Sequence, residues 1–183
     1  IAIYDVENGF TKLSGISALS GTGYGCAFSP DGKYLAVGHS SGSRITLYDV
    51  EDGFTKLSAL STPPSGGLGC SFSPDGKYLA VAHNDSPYIT VYDVEDNFTK
   101  LPDFSELPDT GLTGSDCSFS SDGRYLALAL DSFPYITVYD VEDNFAKLPV
   151  LLELSSRAGS CSFSPDSKYL AVSFSTYSPY IAI

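Results

Sequence analysis

The stretch "CAFSPDGKYLAVGH" spans Cys26–His39, "CSFSPDGKYLAVAH" spans Cys70–His83, and "CSFSPDSKYLAV" spans Cys161–Val172. Each copy reads as two strands around a turn. In "GCAFS", Cys26 and Phe28 fall on one face, because successive side chains alternate across a strand. The "PDG" that follows sets Pro, then Asp, then Gly, the residue chemistry of a tight hairpin. "KYLAVGH" is the return strand. Repetition of this unit decides the fold.

Two more strand candidates complete the repeat. "RITLYDV" (44–50) carries Ile45 and Leu47 in alternation with Thr46 and Tyr48. A short acidic turn, "EDG" or "EDN", leads to "FTKL". Strands a, b, c and d therefore follow one another in every repeat. Strand d is the outer edge and carries Lys12, Lys56, Lys100 or Lys147. An edge lysine opposes strand-to-strand aggregation. Strand c begins at Ile1, Ile45, Ile89, Ile136 and Ile181, in steps of 44, 44, 47 and 45 residues. A period of this size in a strand-only pattern reads as propeller blades, whereas helical repeats would need a 3.6-residue periodicity that is absent. The expectation is an all-β, β-propeller array of four-stranded antiparallel blades, a single repeat array over residues 1–183.

The "FSPDGKYLAV" core and the apolar-Tyr-Asp end of strand c resemble the WD-repeat and related β-propeller families over the whole chain. The family's Trp-Asp pair is Tyr-Asp here, at Tyr4-Asp5, Tyr48-Asp49, Tyr92-Asp93 and Tyr139-Asp140. The Gly-His pair before strand a is missing, so the hydrogen-bonded set that the resemblance would imply lacks members. Within the families, the near-identity of copies is most similar to propeller repeats of bacterial surface proteins and phage structural proteins.

Composition agrees with this reading. Hydrophobic residues make up 43% of the 183, and Tyr and Phe supply all the aromatics. The net charge of −12 opposes binding to a phosphate backbone or an anionic membrane surface. No apolar run reaches the roughly 20 residues of a membrane helix, so neither nucleic acid nor membrane insertion is expected. The chain begins at Ile1 and contains no Met, which reads as a processed product or an excised segment. Cys26, Cys70, Cys117 and Cys161 hold one repeat position. Equivalent positions a blade apart are too distant for disulfides, whose Cα atoms lie within about 7 Å, so four buried free thiols are expected.

The repeats differ most between strands d and a. Leu13–Cys26, Leu57–Cys70 and Leu148–Cys161 are each 13 residues apart, and Leu101–Cys117 is 16. These loops also diverge in sequence while "PYITVYDVEDNF" recurs identically at 87–98 and 134–145. Varied loops on a fixed scaffold are a usual place for binding, and equally a place free of constraint. Strand c has five copies against four of a, b and d. "IAI" at 1–3 and again at 181–183 competes for one slot in a four-bladed ring. Ile1, Ile3, Ile181 and Ile183 are therefore the candidates for an inter-subunit or ring-closing contact. A longer propeller or a multichain assembly is favoured over a four-bladed monomer with one frayed end.

Catalytic chemistry is not written clearly. His39 and His83 hold a repeat position that is Leu130 and Phe174 elsewhere, which marks packing. The turns with Asp49, Glu51 and Asp52, or with Asp93, Glu95, Asp96 and Asn97, offer hard oxygen donors. Their spacing is not that of a calcium loop, and a solvated turn explains them as well. No catalytic, metal or cofactor residues are assigned. "NFT" at 97–99 makes Asn97 a glycosylation candidate; "NDS" at 84–86 is weakened by Pro87.

These features point first to a non-enzymatic structural or interaction propeller in an extracellular, cell-surface or virion-associated assembly, with a protein partner or self-association. A lectin-like module using the d–a loops, with a glycan as ligand, is the alternative. Its expected repeated aromatics are weak, since Tyr24 is matched by Leu68. A fragment of a propeller-containing enzyme is the third reading.

Overall fold

The computed structural model describes residues 1–42, 44–57, 60, 63, 65–104, 113–149, 156–174 and 181–182. Its regular structure is all strand, in five antiparallel sheets that follow the chain. A leading half-blade pairs β1 (Tyr4–Asp5) with β2 (Thr11–Lys12). The first blade is β3 (Gly23–Phe28), β4 (Tyr34–His39), β5 (Ile45–Asp49) and β6 (Thr55–Lys56). The second is β7 (Gly67–Phe72), β8 (Tyr78–His83), β9 (Ile89–Asp93) and β10 (Thr99–Lys100). The third is β11 (Gly114–Phe119), β12 (Tyr125–Leu130), β13 (Ile136–Asp140) and β14 (Ala146–Lys147). The last blade is β15 (Ala158–Phe163), β16 (Leu170–Phe174) and β17 (Ile181–Ala182). Within each complete blade the strands lie in chain order, as the sequence predicts for a propeller.

The "SPDGKY" hairpin closes on its own side chains. Ser29 Oγ donates to Asp31 Oδ1 at 2.6 Å, and Asp31 Oδ1 also accepts the Lys33 amide at 3.1 Å. The Tyr34 amide donates to Ser29 Oγ at 2.9 Å. Ser73 with Asp75, Ser120 with Asp122, and Ser164 with Asp166 repeat the arrangement. The serine hydroxyl is the main cause holding the Asp31, Asp122 and Asp166 carboxyls below the usual carboxylate range. Gly32 takes φ +75°, the left-handed conformation that glycine enters without a steric penalty. Ser167 takes that position in the last copy at φ +58°.

The acidic c–d turns are closed in a similar way. Asp49 Oδ1 accepts the Asp52 amide at 3.1 Å, and Asp93 Oδ1 accepts the amides of Glu95 and Asp96. The aspartate of each Tyr-Asp pair thus holds its own turn. Phe54, Phe98 and Phe145 follow at φ 58–64°. This left-handed step shortens strand d to two residues, Thr55–Lys56 in the first blade, where the sequence suggested four.

Blades stack through strand a. β3, β7, β11 and β15 are neighbours in series and so line the axis. Each inner cysteine lies over a strand-b carbonyl of the preceding blade: Cys70 Sγ is 3.7 Å from Ala36 O, Cys117 Sγ is 3.6 Å from Ala80 O, and Cys161 Sγ is 3.9 Å from Ala127 O. Apolar clusters such as Leu47, Cys70, Phe72, Leu79 and Tyr92 fill the space between sheets. Toward the rim, Tyr34 meets Phe98 edge-on at 5.1 Å, and Tyr78 meets Phe145 at 5.3 Å. One blade cannot bury both faces alone, and stacking does it for each in turn.

The cysteine expectation needs one correction. All four thiols are free, but only Cys70, Cys117 and Cys161 are buried; Cys26 is exposed. The sheet ahead of it contains β1 and β2 alone, so no strand b covers it. The same lack makes strand c begin at Tyr4 rather than Ile1.

Candidate functional site on the blade axis

Every strand a starts with a β-bulge. The pairing with strand b skips between Gly23 and Cys26, Gly67 and Cys70, Gly114 and Asp116, and Ala158 and Ser160. A bulge leaves a residue outside the ladder and re-aims its side chain. Here the re-aimed residues meet at the axis. Tyr24, Gly25, Leu68, Gly69, Ser115, Asp116, Arg157 and Gly159 line an open pocket of about 490 Å³.

The glycines are required by close approach. A Cβ on Gly69 would lie 2.7 Å from the Asp116 Cα, and one on Gly25 would lie 2.9 Å from the Gly69 Cα. The third blade carries Asp116 at the same repeat position. Its Oδ2 accepts Ser160 Oγ at 2.6 Å and the Cys161 amide at 3.3 Å, and Oδ1 accepts the Cys117 amide at 2.9 Å. The carboxylate is half-buried and clips the third blade to the last. Arg157 is exposed and makes no ion pair among the described residues. The mouth therefore offers one fixed anion, one cation with no ion pair among the described residues, and an exposed aromatic ring at Tyr24, while the Ser115 hydroxyl is buried beside it.

The candidates read from the sequence lie elsewhere. His39 and His83 are fully buried, with Nε2 3.0 Å from Thr46 Oγ1 and 2.9 Å from Thr90 Oγ1. Burial pushes His39 below its usual range and His83 down to about 4. Burial also raises the inner thiols, Cys70 to about 12, so they are not nucleophiles at neutral pH. Among the described residues no three His, Cys, Asp or Glu side chains gather as metal ligands. Asn97 is exposed at φ +52°, where the first two c–d turns place Gly9 and Gly53. An asparagine there meets a backbone requirement whatever its modification.

Ile3 packs beside Leu35, Val37 and Tyr48 of its own first blade, and Ile1 is exposed. Ile181 pairs with Ser173 in β16. Ile183, and much of the variable d–a loops (105–112 and 150–155), lie outside the described residues. Sequence reasoning did not single out Asp116 and Arg157. The available signal was the bulge itself, which reads "GYGC", "GLGC", "GSDC" and "AGSC" in the four copies and is charged in one.

A family model described as Lactonase, 7-bladed beta-propeller matches residues 9–112. No curated protein matches the chain. Among solved structures, Kuenenia stuttgartiensis hydrazine synthase is similar, with a TM-score of 0.74 and 21% sequence identity. The alignment covers 91% of this chain and 45% of that one, so the chain spans under half the length of that structure. At this identity the likeness is one of fold.

Proposed function

The chain belongs to the seven-bladed β-propeller lactonase family, and from that premise we propose that its blades form an arc of a larger ring whose axial mouth binds a small polar ligand. The ligand class is a lactone or its open hydroxy acid. The observation that carries this reading is the bulge-lined pocket of about 490 Å³, with Arg157 unpaired among the described residues. A pocket of that size suits a sugar-sized ring. Arg157 would meet a carboxylate or an ester carbonyl in a charge-assisted hydrogen bond, and the Tyr24 ring would lie along an apolar ring face.

Asp116 serves as a clip in this reading. Three hydrogen bonds hold its carboxylate, so it positions β15. Ring opening would call on groups from the blades that complete the ring.

Titration calorimetry with glucono-δ-lactone and with gluconate tests the proposal. Binding of either, weakened about tenfold or more by Arg157→Gln, is expected, since one charge-assisted hydrogen bond contributes about 1.5–3 kcal/mol. Arg157 is exposed, so the variant keeps the fold. Absence of binding for both compounds, or equal binding by the variant, overturns the reading.

A further inference from the structure

We propose that Asn8 is a site of spontaneous covalent modification, where the Gly9 amide converts the asparagine into aspartate and isoaspartate. The chemistry needs a carboxamide, a free backbone amide next to it in the chain, and water. The Gly9 nitrogen attacks the Asn8 Cγ and ammonia leaves, which closes a cyclic imide. Water then opens the imide at either carbonyl. Opening at Cγ gives aspartate. Opening at the main-chain carbonyl gives isoaspartate, with the residue's Cβ and Cγ now in the main chain. No oxidant or reductant takes part.

The fold brings these conditions together at one of the four asparagines. Asn8 is exposed in the c–d turn between β1 and β2. The exposure is that of the turn itself, since Asp52, Asp96 and Asp143 hold the same position in complete blades and are also exposed. The turn grips Asn8 by its main chain: its amide donates to Asp5 Oδ1 at 3.0 Å, and its carbonyl accepts Thr11 Oγ1 at 2.6 Å. Among the described residues, neither the Asn8 carboxamide nor the Gly9 amide has a hydrogen-bond partner. Gly9 has no Cβ to hinder the approach, and the space where one would stand is open to 4 Å.

Each of the other asparagines is hindered. At Asn84 the next amide, that of Asp85, donates to Ser65 Oγ at 2.7 Å. At Asn97 and Asn144 the next amide belongs to Phe98 or Phe145, buried residues whose rings pack on Tyr34 and Tyr78. The Asp-Gly steps of the a–b hairpins are closed as well, because the amides of Gly32, Gly76 and Gly123 each donate to a serine carbonyl at 2.9 Å. The two products differ in how they fit. Aspartate is the residue of the other c–d turns, where Asp52 Oδ2 accepts Thr55 Oγ1 at 2.8 Å. Isoaspartate lengthens the main chain inside the turn that sets Asp5 opposite Thr11 and Tyr4 opposite Lys12.

Peptide mapping by mass spectrometry, on the full chain aged in mildly alkaline buffer, tests the site. The tryptic peptide ending at Lys12 should gain about 1 Da and resolve into two products of equal mass, while the peptides holding Asn84, Asn97 and Asn144 keep theirs. Asn8→Asp should abolish the gain. Gly9→Asn should slow it by placing bulk beside the attacking nitrogen; Asn97 and Asn144 already hold that position, so the turn is kept. Ageing in urea should release the Asp85 amide and bring Asn84 into reaction, while Asn8 keeps its native rate. An unchanged mass at Asn8, an equal gain at Asn84 in the native chain, an undiminished rate in Gly9→Asn, or a native rate at Asn8 far below its rate in urea would overturn the proposal.

Discussion

Acidification should destabilise this protein through a buried histidine. His83 is fully buried, its Nε2 2.9 Å from Thr90 Oγ1, and burial lowers its pKa from 6.5 to about 4. Above pH 6.5 the ring is neutral in folded and unfolded chains alike, and its contribution is complete. As the pH falls from 6.5 toward 4, the unfolded chain binds a proton that the folded chain refuses. Stability is lost across that window at about 1.4 kcal/mol per pH unit, or about 3 kcal/mol in all. That is a large share of the roughly 5–15 kcal/mol that holds a domain together. Urea unfolding at about pH 7 and about pH 4.5, on wild type and His83→Leu, isolates the effect. Leucine already occupies the equivalent slot, at Leu130. The lowered carboxyls of Asp31, Asp122 and Asp166 are common to both proteins and cancel, as does His39. Wild type should lose about 2–3 kcal/mol more than the variant between the two pH values. Equal losses would refute the claim that His83 is held neutral by burial.

Two further expectations follow from comparing repeats. Thr90→Val strips the buried His83 Nε2 of its partner and should cost about 1–3 kcal/mol, while Thr137→Val removes a buried hydroxyl with no partner among the described residues and should be neutral or stabilising by about 1 kcal/mol; urea midpoints of the two variants give the comparison. Cys70, Cys117 and Cys161, buried and raised in pKa, should remain unlabelled by maleimide at about pH 8 in the native protein and all react in urea, as read by mass spectrometry.

Strand order was legible because each strand alternates around chemically marked turns. "SPDG" specifies a hairpin that closes on its own serine and aspartate. The strand-c starts at Ile45, Ile89, Ile136 and Ile181 agree with the structure. The short strand d was not legible. It depends on Phe54, Phe98 and Phe145 accepting a left-handed φ, which aromatic residues seldom adopt. The bulges were also hidden, because one extra residue changes no composition and breaks a two-residue period only locally. Since the axial pocket is built from those bulges, Asp116 and Arg157 passed unmarked. The histidines, by contrast, were readable as packing residues, because Leu130 and Phe174 share their position. The Tyr-Asp pair drew the resemblance toward WD repeats. The matching family model is a lactonase propeller, and the two share the propeller fold.

The most direct test of the axial reading is a pair of amide-resolved NMR spectra, recorded with and without glucono-δ-lactone. Perturbations gathered on Gly25, Gly69, Asp116 and Gly159, one from each strand a around the axis, are the predicted result. Perturbations confined to the outer turns, or none at saturating ligand, would contradict the account.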